Sequence, residues 1–173
     1  MAALYLLIGG NQGDRVALLQ KATDLIHKRI GSVAHLSNIY QTAPWGNFKP
    51  GEEPQDFLNM ALEVHTQLSP QEALRNALAI EEELGRERSH SEGRAEIERL
   101  YSSRPIDIDL IFYNNLVIDT PELTLPHPRM HLRRFVLHPL CDIAPHYIHP
   151  IYNKTLLNLL SQCPDDSSCL CFC

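Results

Sequence analysis

The chain has 173 residues, of which 44% are hydrophobic and 21% are charged, as in an ordinary globular protein. This composition excludes collagen-like, coiled-coil and disordered classes. The net charge of −6 disfavours a nucleic acid partner, because duplex binding needs a basic surface. No apolar run is long enough to predict a membrane span. The five cysteines all follow residue 140, which does not resemble a secreted disulfide framework, so we expect a cytoplasmic protein.

The first part of the chain predicts strand, helix, strand. The apolar run from Leu4 to Ile8 predicts a buried strand that ends at two glycines. Asp14 is suited to cap the following helix, and Gly31 is suited to end it in the left-handed conformation. Val33 to Tyr40 predicts a second strand, and a loop rich in proline and glycine follows it.

The middle of the chain carries the clearest periodic patterns. Apolar and polar residues alternate from Phe57 to Val64, which predicts a third strand. Ser69 and Glu72 form a capping-box pattern with proline between them, so we expect a helix that runs to Gly85. A polar, arginine-rich stretch then separates this helix from a fourth strand, Pro105 to Tyr113.

Shorter elements are expected beyond the fourth strand. Asn114 and Asn115 predict a hairpin turn into Leu116 to Ile118. Several prolines restrict the remainder to a short helix around Leu132 to Leu137 and a last helix from Thr155 to Leu160.

The order of elements predicts an α+β fold. Strand, helix, strand, strand, helix, strand is the split β-α-β pattern of a ferredoxin-like sandwich, with helices packed on an antiparallel sheet. We expect a single catalytic domain over residues 1–161. Residues 162–173, which contain four of the five cysteines, predict a loose and flexible tail.

The most specific chemical motif is the acid pair in the fourth strand. Asp107 and Asp109 alternate with three aliphatic residues, so both carboxylates lie on one face of the strand, about 7 Å apart. Two carboxylates at this spacing suit a hard divalent cation such as Mg²⁺. The alternative is a half-exposed strand whose acids are solvated.

Five arginines precede the acid pair within nineteen residues, at Arg86, Arg88, Arg94, Arg99 and Arg104. Guanidinium groups bind phosphate oxygens bidentately, and Mg²⁺ is commonly held by one or two carboxylates together with substrate phosphates. The segment therefore predicts a magnesium nucleotide site, with Arg86 and Arg104 as the favoured ligands of phosphate. For the other three arginines, neutralisation by neighbouring glutamates in an exposed loop is an equal alternative.

A second pair of side chains suggests a flat heterocycle. Phe57 and Asn59 share one face of the third strand, which places an aromatic plane beside an amide that donates and accepts hydrogen bonds. From spacing alone, an aromatic residue packed under a helix is the better interpretation.

The chain as a whole resembles the 6-hydroxymethyl-7,8-dihydropterin pyrophosphokinase family of folate biosynthesis. The resemblance covers roughly residues 4–160, and its motifs occur in register. They are Gly9-Gly10-Asn11, Tyr40-Gln41-Thr42-Ala43-Pro44, Asp56-Phe57-Leu58-Asn59, Glu81 to Arg86, Arg104 to Asp109, Pro126-His127 and Arg133 to Leu137.

The resemblance implies transfer of diphosphate from ATP to a pterin hydroxymethyl group, with release of AMP. It implies two Mg²⁺ ions on Asp107 and Asp109, and catalytic roles for these acids and for Arg86 and Arg104. The implied pterin contacts are Thr42, Pro44, Trp45, Phe57, Asn59 and Phe135. The implied nucleotide contacts are Glu81, Arg86, Arg104, Ile108, His127 and Arg133. We expect a monomer whose partners are these two small substrates.

Two other function classes fit the same residues. One is a Mg²⁺-dependent phosphohydrolase or ordinary kinase, which would release phosphate or ADP in place of AMP. The other is a non-catalytic ferredoxin-like module that binds nucleotides or RNA, which the acidic charge disfavours.

Overall fold

A computed structural model describes residues 1–44, 50–51, 53–86 and 103–172. Its elements form a six-stranded antiparallel sheet covered by helices on both faces. In chain order they are β1 (Ala2–Gly10), α1 (Arg15–Arg29), β2 (Ser32–Leu36), β3 (Tyr40–Thr42), β4 (Phe57–Thr66), α2 (Pro70–Glu83), β5 (Asp107–Tyr113), β6 (Ile118–Asp119), β7 (Thr124–Leu125), a 3₁₀ turn (Met130–Leu132), α3 (Arg134–Ile143), α4 (Leu156–Ser161) and β8 (Cys169–Cys171).

Strand β1 lies inside the sheet and separates two apolar cores. It pairs with β4 on one side and with β5 on the other, and the strand order is β5-β1-β4-β3-β8, with β2 also paired to β4. Leu4, Leu6 and Ile8 pack under α1 and α2, whereas Tyr5 and Leu7 face α3 and α4. The alternation follows from the period of two in a strand. This arrangement confirms the ferredoxin-like α+β fold.

The local signals at the helix starts are confirmed. Asp14 Oδ1 accepts the backbone N–H of Ala17 at 3.1 Å and caps α1. The backbone N–H of Ser69 donates to Glu72 Oε2 at 2.8 Å, and the backbone N–H of Glu72 donates to Ser69 Oγ at 3.3 Å. This reciprocal pair is the capping box that the sequence predicts for α2.

Two predictions about the region after α1 are wrong. Gly31 does not have a positive φ; instead, a Cβ at this position would collide with the carbonyl oxygen of His65, so the glycine allows a close backbone approach. The expected strand Val33 to Tyr40 is two strands, β2 and β3. Between them, Ser37 bonds to Ala61 of β4 through its backbone N–H and its hydroxyl oxygen.

Beyond β5, tertiary packing again changes the expected elements. The turn at Asn114 is present, but the segment after it pairs with β7 and not with β5. Helix α3 continues through Pro139, which is longer than the short helix expected. Its buried face packs on the sheet, and this apolar contact outweighs the hydrogen bond that proline cannot donate.

The C-terminal segment differs most from expectation. The sequence predicts a loose tail, but Cys169–Cys171 forms β8 and pairs with β3. The backbone N–H of Phe172 donates to the carbonyl of Ile39 at 2.7 Å, and its ring packs against the larger core. The free edge that β3 would otherwise present and the partial burial of the Phe172 ring provide the driving force, and neither is visible in local composition.

Within the described ranges, none of the helices has the length and apolar character needed to cross a bilayer.

Candidate active site

An open cavity of about 530 Å³ lies on the face of the sheet that carries α3, near the ends of β1, β4 and β5. Acidic, basic, aromatic and amide side chains share its wall. The lining residues are Leu7, Gly9, Thr42, Ala43, Phe57, Asn59, Arg104, Asp107, Asp109, Arg133 and Phe135.

The acid pair enters the cavity because β5 alternates as predicted. Asp107 and Asp109 line the cavity, whereas Ile106, Ile108 and Leu110 are buried in the opposite core. The structure thus rejects the alternative in which both carboxylates are simply solvated. The two acids project from β5, which is the terminal strand in the sheet order and pairs with β1, so ladder hydrogen bonds hold their backbone positions.

Two arginines reach the first acid from different parts of the chain. Arg86 Nη1 lies 2.6 Å from Asp107 Oδ1, and Arg104 Nη1 lies 3.3 Å from Asp107 Oδ2. Their side chains are only 16% and 18% exposed, so they lie in partly desolvated surroundings where charges interact strongly. Both guanidinium groups are therefore held at Asp107.

The buried carboxylate of Glu81 positions the Arg86 side chain. This carboxylate is 1% exposed, and it accepts the backbone N–H of Ile108 at 2.7 Å and contacts Arg86 Nη1 at 3.0 Å. It thereby links the last turns of α2 to β5. A buried carboxylate needs such partners, since an unpaired one would be very costly.

Asn11 holds the backbone of Arg104, a role that the sequence did not predict. Its backbone N–H donates to the carbonyl of Arg104 at 3.0 Å, and its Oδ1 accepts the backbone N–H of Arg104 at 2.9 Å. The side chain is 1% exposed. The available signal was its place directly after Gly9 and Gly10. A Cβ at Gly10 would collide with the carbonyl of Pro105, so the glycine allows this close approach.

The aromatic and amide pair of β4 forms the other part of the cavity wall. Phe57 and Asn59 both line the cavity, and Asn59 Nδ2 donates to Thr42 Oγ1 at 3.2 Å. Phe135, from the first turn of α3, lines the same cavity, with the Arg133 guanidinium 5.8 Å from its ring centroid. Two aromatic rings and a buried amide can bind a flat, polar heterocycle. Phe57 is only partly buried and faces the cavity, whereas the Asn59 amide is buried and hydrogen-bonded.

The site has an unusual balance of charge. Burial raises the pKa of Asp109 well above its ordinary value, and the charges of Asp107 and Glu81 raise it further, whereas Arg104 and Arg133 lower it. Burial also lowers the pKa of His127 to about 4, with a further decrease from Arg133. His127 Nδ1 accepts the backbone N–H of Arg129 at 3.2 Å, which requires a neutral ring.

The expected site residues separate into three groups. Those that line the cavity include both acids, Arg104, Arg133, Thr42, Phe57, Asn59 and Phe135. Arg86 and Glu81 lie outside this lining and contact it indirectly, Arg86 through Asp107 and Glu81 through the backbone of Ile108. His127, Pro44 and the Ile108 side chain also lie outside the lining, and the Ile108 side chain is in the core. Outside the described residues lie Trp45, Arg88, Arg94 and Arg99.

The residues fit Mg²⁺. The donors are carboxylate oxygens, which this cation prefers, and Asp109 carries a charge that its surroundings disfavour until a cation is added. Two protein carboxylates are typical for Mg²⁺ that is shared with substrate phosphates. In the described part of the chain, no three His, Cys, Asp or Glu side chains converge as a metal site.

A ferredoxin-like sheet with an aromatic slot beside an acid pair and two arginines defines a class of protein: one that places a heterocycle next to phosphates. The model of the family 7,8-dihydro-6-hydroxymethylpterin-pyrophosphokinase (HPPK) matches residues 5–145. The chain therefore belongs to the HPPK family.

Curated relatives agree with this assignment. The chain is 42% identical over 151 residues to the 2-amino-4-hydroxy-6-hydroxymethyldihydropteridine pyrophosphokinase of Porphyromonas gingivalis, covering 87% of this chain and 95% of the relative. It is 40% identical over 141 residues to the enzyme of the same name from Bacillus subtilis, covering 81% and 77% of the two chains.

A solved structure shares the fold. Plasmodium falciparum HPPK-DHPS wild type with pterin and p-hydroxybenzoate aligns with a TM-score of 0.72 at 18% identity. The alignment covers 93% of this chain but only 43% of the solved chain, so this chain spans less than half of that protein.

Proposed function

We propose that the protein transfers diphosphate from ATP to the hydroxymethyl group of 6-hydroxymethyl-7,8-dihydropterin, giving AMP and the pterin diphosphate, as a step of folate biosynthesis. Family membership supports this reaction. One observation of the structure carries it: two aromatic rings and an amide line the same cavity as the acid pair and Arg104.

The slot suits the pterin ring. Phe57 and Phe135 would contact the two faces of the ring, and Asn59 would hydrogen-bond its polar edge. The contact with Thr42 occupies one amide hydrogen of Asn59, so its carbonyl oxygen and second hydrogen are left for the ring. The proposed pterin contacts also include Pro44 and Trp45, by resemblance.

The acids and arginines suit the triphosphate. Asp107 and Asp109 would hold Mg²⁺, two ions by resemblance, and the bound metal would neutralise phosphate charge. Arg86 and Arg104 would contact the phosphates bidentately, since both already lie at Asp107. Arg133, Glu81, His127 and the backbone of Ile108 are proposed to contact or support the nucleotide.

The residues perform mainly positioning and charge stabilisation. In the proposed reaction the pterin hydroxymethyl oxygen attacks the β-phosphorus in line, the bond from that phosphorus to the α-phosphate oxygen breaks, and AMP leaves with that oxygen. Phosphoryl transfer of this kind needs little covalent help from protein groups. Orientation of two substrates and arginine charges near the transferred group supply most of the rate.

The test is product identity. The protein is incubated with ATP, Mg²⁺ and 6-hydroxymethyl-7,8-dihydropterin, and nucleotides are separated by chromatography. We expect AMP to form in equal amount with the pterin diphosphate. Formation of ADP would indicate an ordinary kinase, free phosphate without pterin dependence would indicate a phosphohydrolase, and either result would overturn the proposal.

The proposal extends to organisation in the cell. We propose a single catalytic domain over residues 1–161, acting as a monomer in the cytoplasm. The thiols of Cys141, Cys163 and Cys169 support a reducing compartment, because such groups persist there. Equilibrium sedimentation tests the monomer, and fractionation of the source cells tests the location.

A further inference from the structure

The C-terminal segment 163–172 contacts both walls of the proposed pterin slot, although none of its residues lines the cavity. One wall is the β3–β4 pair, where Thr42 lies opposite Phe57 and bonds to Asn59. The other wall is the start of α3, which carries Phe135. The distance between these walls decides whether a flat ring fits between them.

The first contact is at the start of α3. Among described contacts, α3 has no side-chain cap of its own, since its N-cap residue is Arg133 and makes no capping bond. Asp165 supplies one from the C-terminal segment: its Oδ2 accepts the backbone N–H of Arg134 at 2.9 Å. A carboxylate at this end also interacts favourably with the helix dipole.

Asp165 is itself held in place. Its other oxygen, Oδ1, accepts the backbone N–H of Ser167 at 3.0 Å and the Ser167 hydroxyl at 2.5 Å. Both oxygens are therefore used, and the carboxylate has a fixed orientation toward the helix. Asp166, by contrast, is exposed and has no such contacts among the described residues, so it cannot hold the start of α3 in place.

The second contact is at β3. Strand β8 pairs with all three residues of β3, with Cys169 opposite Thr42 and Cys171 opposite Tyr40. Phe172 anchors the strand through its bond to Ile39 and its packing on the core. A three-residue strand is weak alone, and pairing on a second side restricts its movement.

We propose that residues 163–172 hold the pterin slot at its working width, with Asp165 as a positioning residue that holds the start of α3 while β8 holds β3. This inference rests on the proposed function, because it assigns the slot to a pterin. The triphosphate side is less dependent on this segment, since Arg86 and Arg104 are held by Glu81 and Asn11.

The test compares Asp165→Ala with Asp166→Ala, which removes an equal charge one residue away without removing a cap. We expect Asp165→Ala to raise KM for the pterin about five- to tenfold, as loss of one capping bond implies. The rise in KM for ATP should be smaller, below about threefold, because Arg133 is the one proposed nucleotide contact that adjoins Arg134. Asp165→Asn should restore most of the affinity, because its amide oxygen still accepts the Arg134 N–H. Asp166→Ala should resemble the wild type.

Hydrogen exchange gives an independent readout on the same proteins. Asp165→Ala should exchange faster at Arg134 and its neighbours, and Phe172→Ala should exchange faster at residues 39–42. An unchanged pterin KM in Asp165→Ala, or equal increases in both KM values, would overturn the positioning role. If the wild type forms no pterin-dependent AMP, the proposed function fails and the pterin assignment of the slot fails with it. Faster exchange in Asp165→Ala would then show only that the C-terminal segment stabilises the start of α3.

Discussion

Asn59 and Asp107 lie in one row across the sheet, two strands apart, with Gly9 between them. Gly9 of β1 is opposite Asn59 of β4 and opposite Asp107 of β5. A Cβ at Gly9 would collide with Asn59 Oδ1 and with the carbonyl of Leu58. Adjacent strands are about 4.8 Å apart, so the amide proposed to bind the heterocycle and the acid proposed to act at the phosphates are separated by about 10 Å.

Phe57 and its neighbour Leu58 should separate binding from stability. Phe57 lines the cavity and Leu58 is fully buried in the core, so Phe57→Leu should raise KM for the pterin about tenfold while changing stability by less than about 1 kcal/mol. Leu58→Ala should lower the free energy of unfolding by about 2–5 kcal/mol. Steady-state kinetics and urea denaturation measure the two effects. A large loss of stability in Phe57→Leu would show that this ring is part of the core and would contradict its role in pterin binding.

Asp109→Asn should remove activity without unfolding the protein. The substitution removes a carboxylate whose charge its surroundings disfavour, so the thermal midpoint without Mg²⁺ should be equal to or above that of the wild type. AMP formation should fall at least about 100-fold, and stabilisation by added Mg²⁺ and ATP should be lost. Calorimetry with and without Mg²⁺ measures this. Asp119→Asn, at an exposed position, is the control, and normal activity in Asp109→Asn would contradict the metal role.

Glu81→Gln should weaken nucleotide binding through Arg86. The amide can still accept the Ile108 N–H, but one of the two carboxylate charges that hold Arg86 is lost, and only that of Asp107 is left. We expect KM for ATP to rise about tenfold and the free energy of unfolding to fall by about 1–3 kcal/mol. The control is Glu82→Gln at the exposed neighbouring residue, which should change neither KM for ATP nor the free energy of unfolding. Equal KM values in the two variants would show that Arg86 does not depend on Glu81.

Asn11→Ala should displace Arg104. It removes the side-chain acceptor for the Arg104 N–H from a site that is 1% exposed, which should cost about 1–3 kcal/mol of stability. The displaced guanidinium should lower kcat by about 10- to 100-fold, because small errors in position reduce transition-state stabilisation. Single-turnover kinetics measures the step directly. Asn115→Ala, in an exposed turn, should have wild-type kinetics; a slow control would point to a general effect of asparagine loss.

Stability should decrease as the pH falls from about 6.5 toward 4. His149 is 2% exposed, and its Nδ1 accepts the backbone N–H groups of Ile151 and Tyr152. Burial, with a smaller contribution from the nearby His131, lowers its pKa to about 4. The folded protein therefore holds this ring neutral, while the unfolded chain takes up a proton below pH 6.5, and the stabilising contribution is lost through that window.

Urea denaturation at pH 7 and pH 5 measures this effect. The expected contribution is about 1–2 kcal/mol between these two pH values. His149→Gln should lower stability at pH 7 but show a smaller difference between the two pH values, since its amide oxygen accepts hydrogen bonds without titrating. His146→Gln, at an exposed position, is the control. An unchanged pH dependence in His149→Gln would assign the effect to other histidines.

The amino-acid sequence determined the features that depend on neighbouring residues. Strand alternation placed Asp107 and Asp109 on one face, and Ser69 with Glu72 marked the start of α2, because both follow from local backbone geometry. Only the tertiary structure decided which distant groups meet. Asn11 and Arg104 are 93 residues apart, and Asp165 and Arg134 are 31 apart. Such contacts depend on strand register and core packing, and no local pattern encodes them.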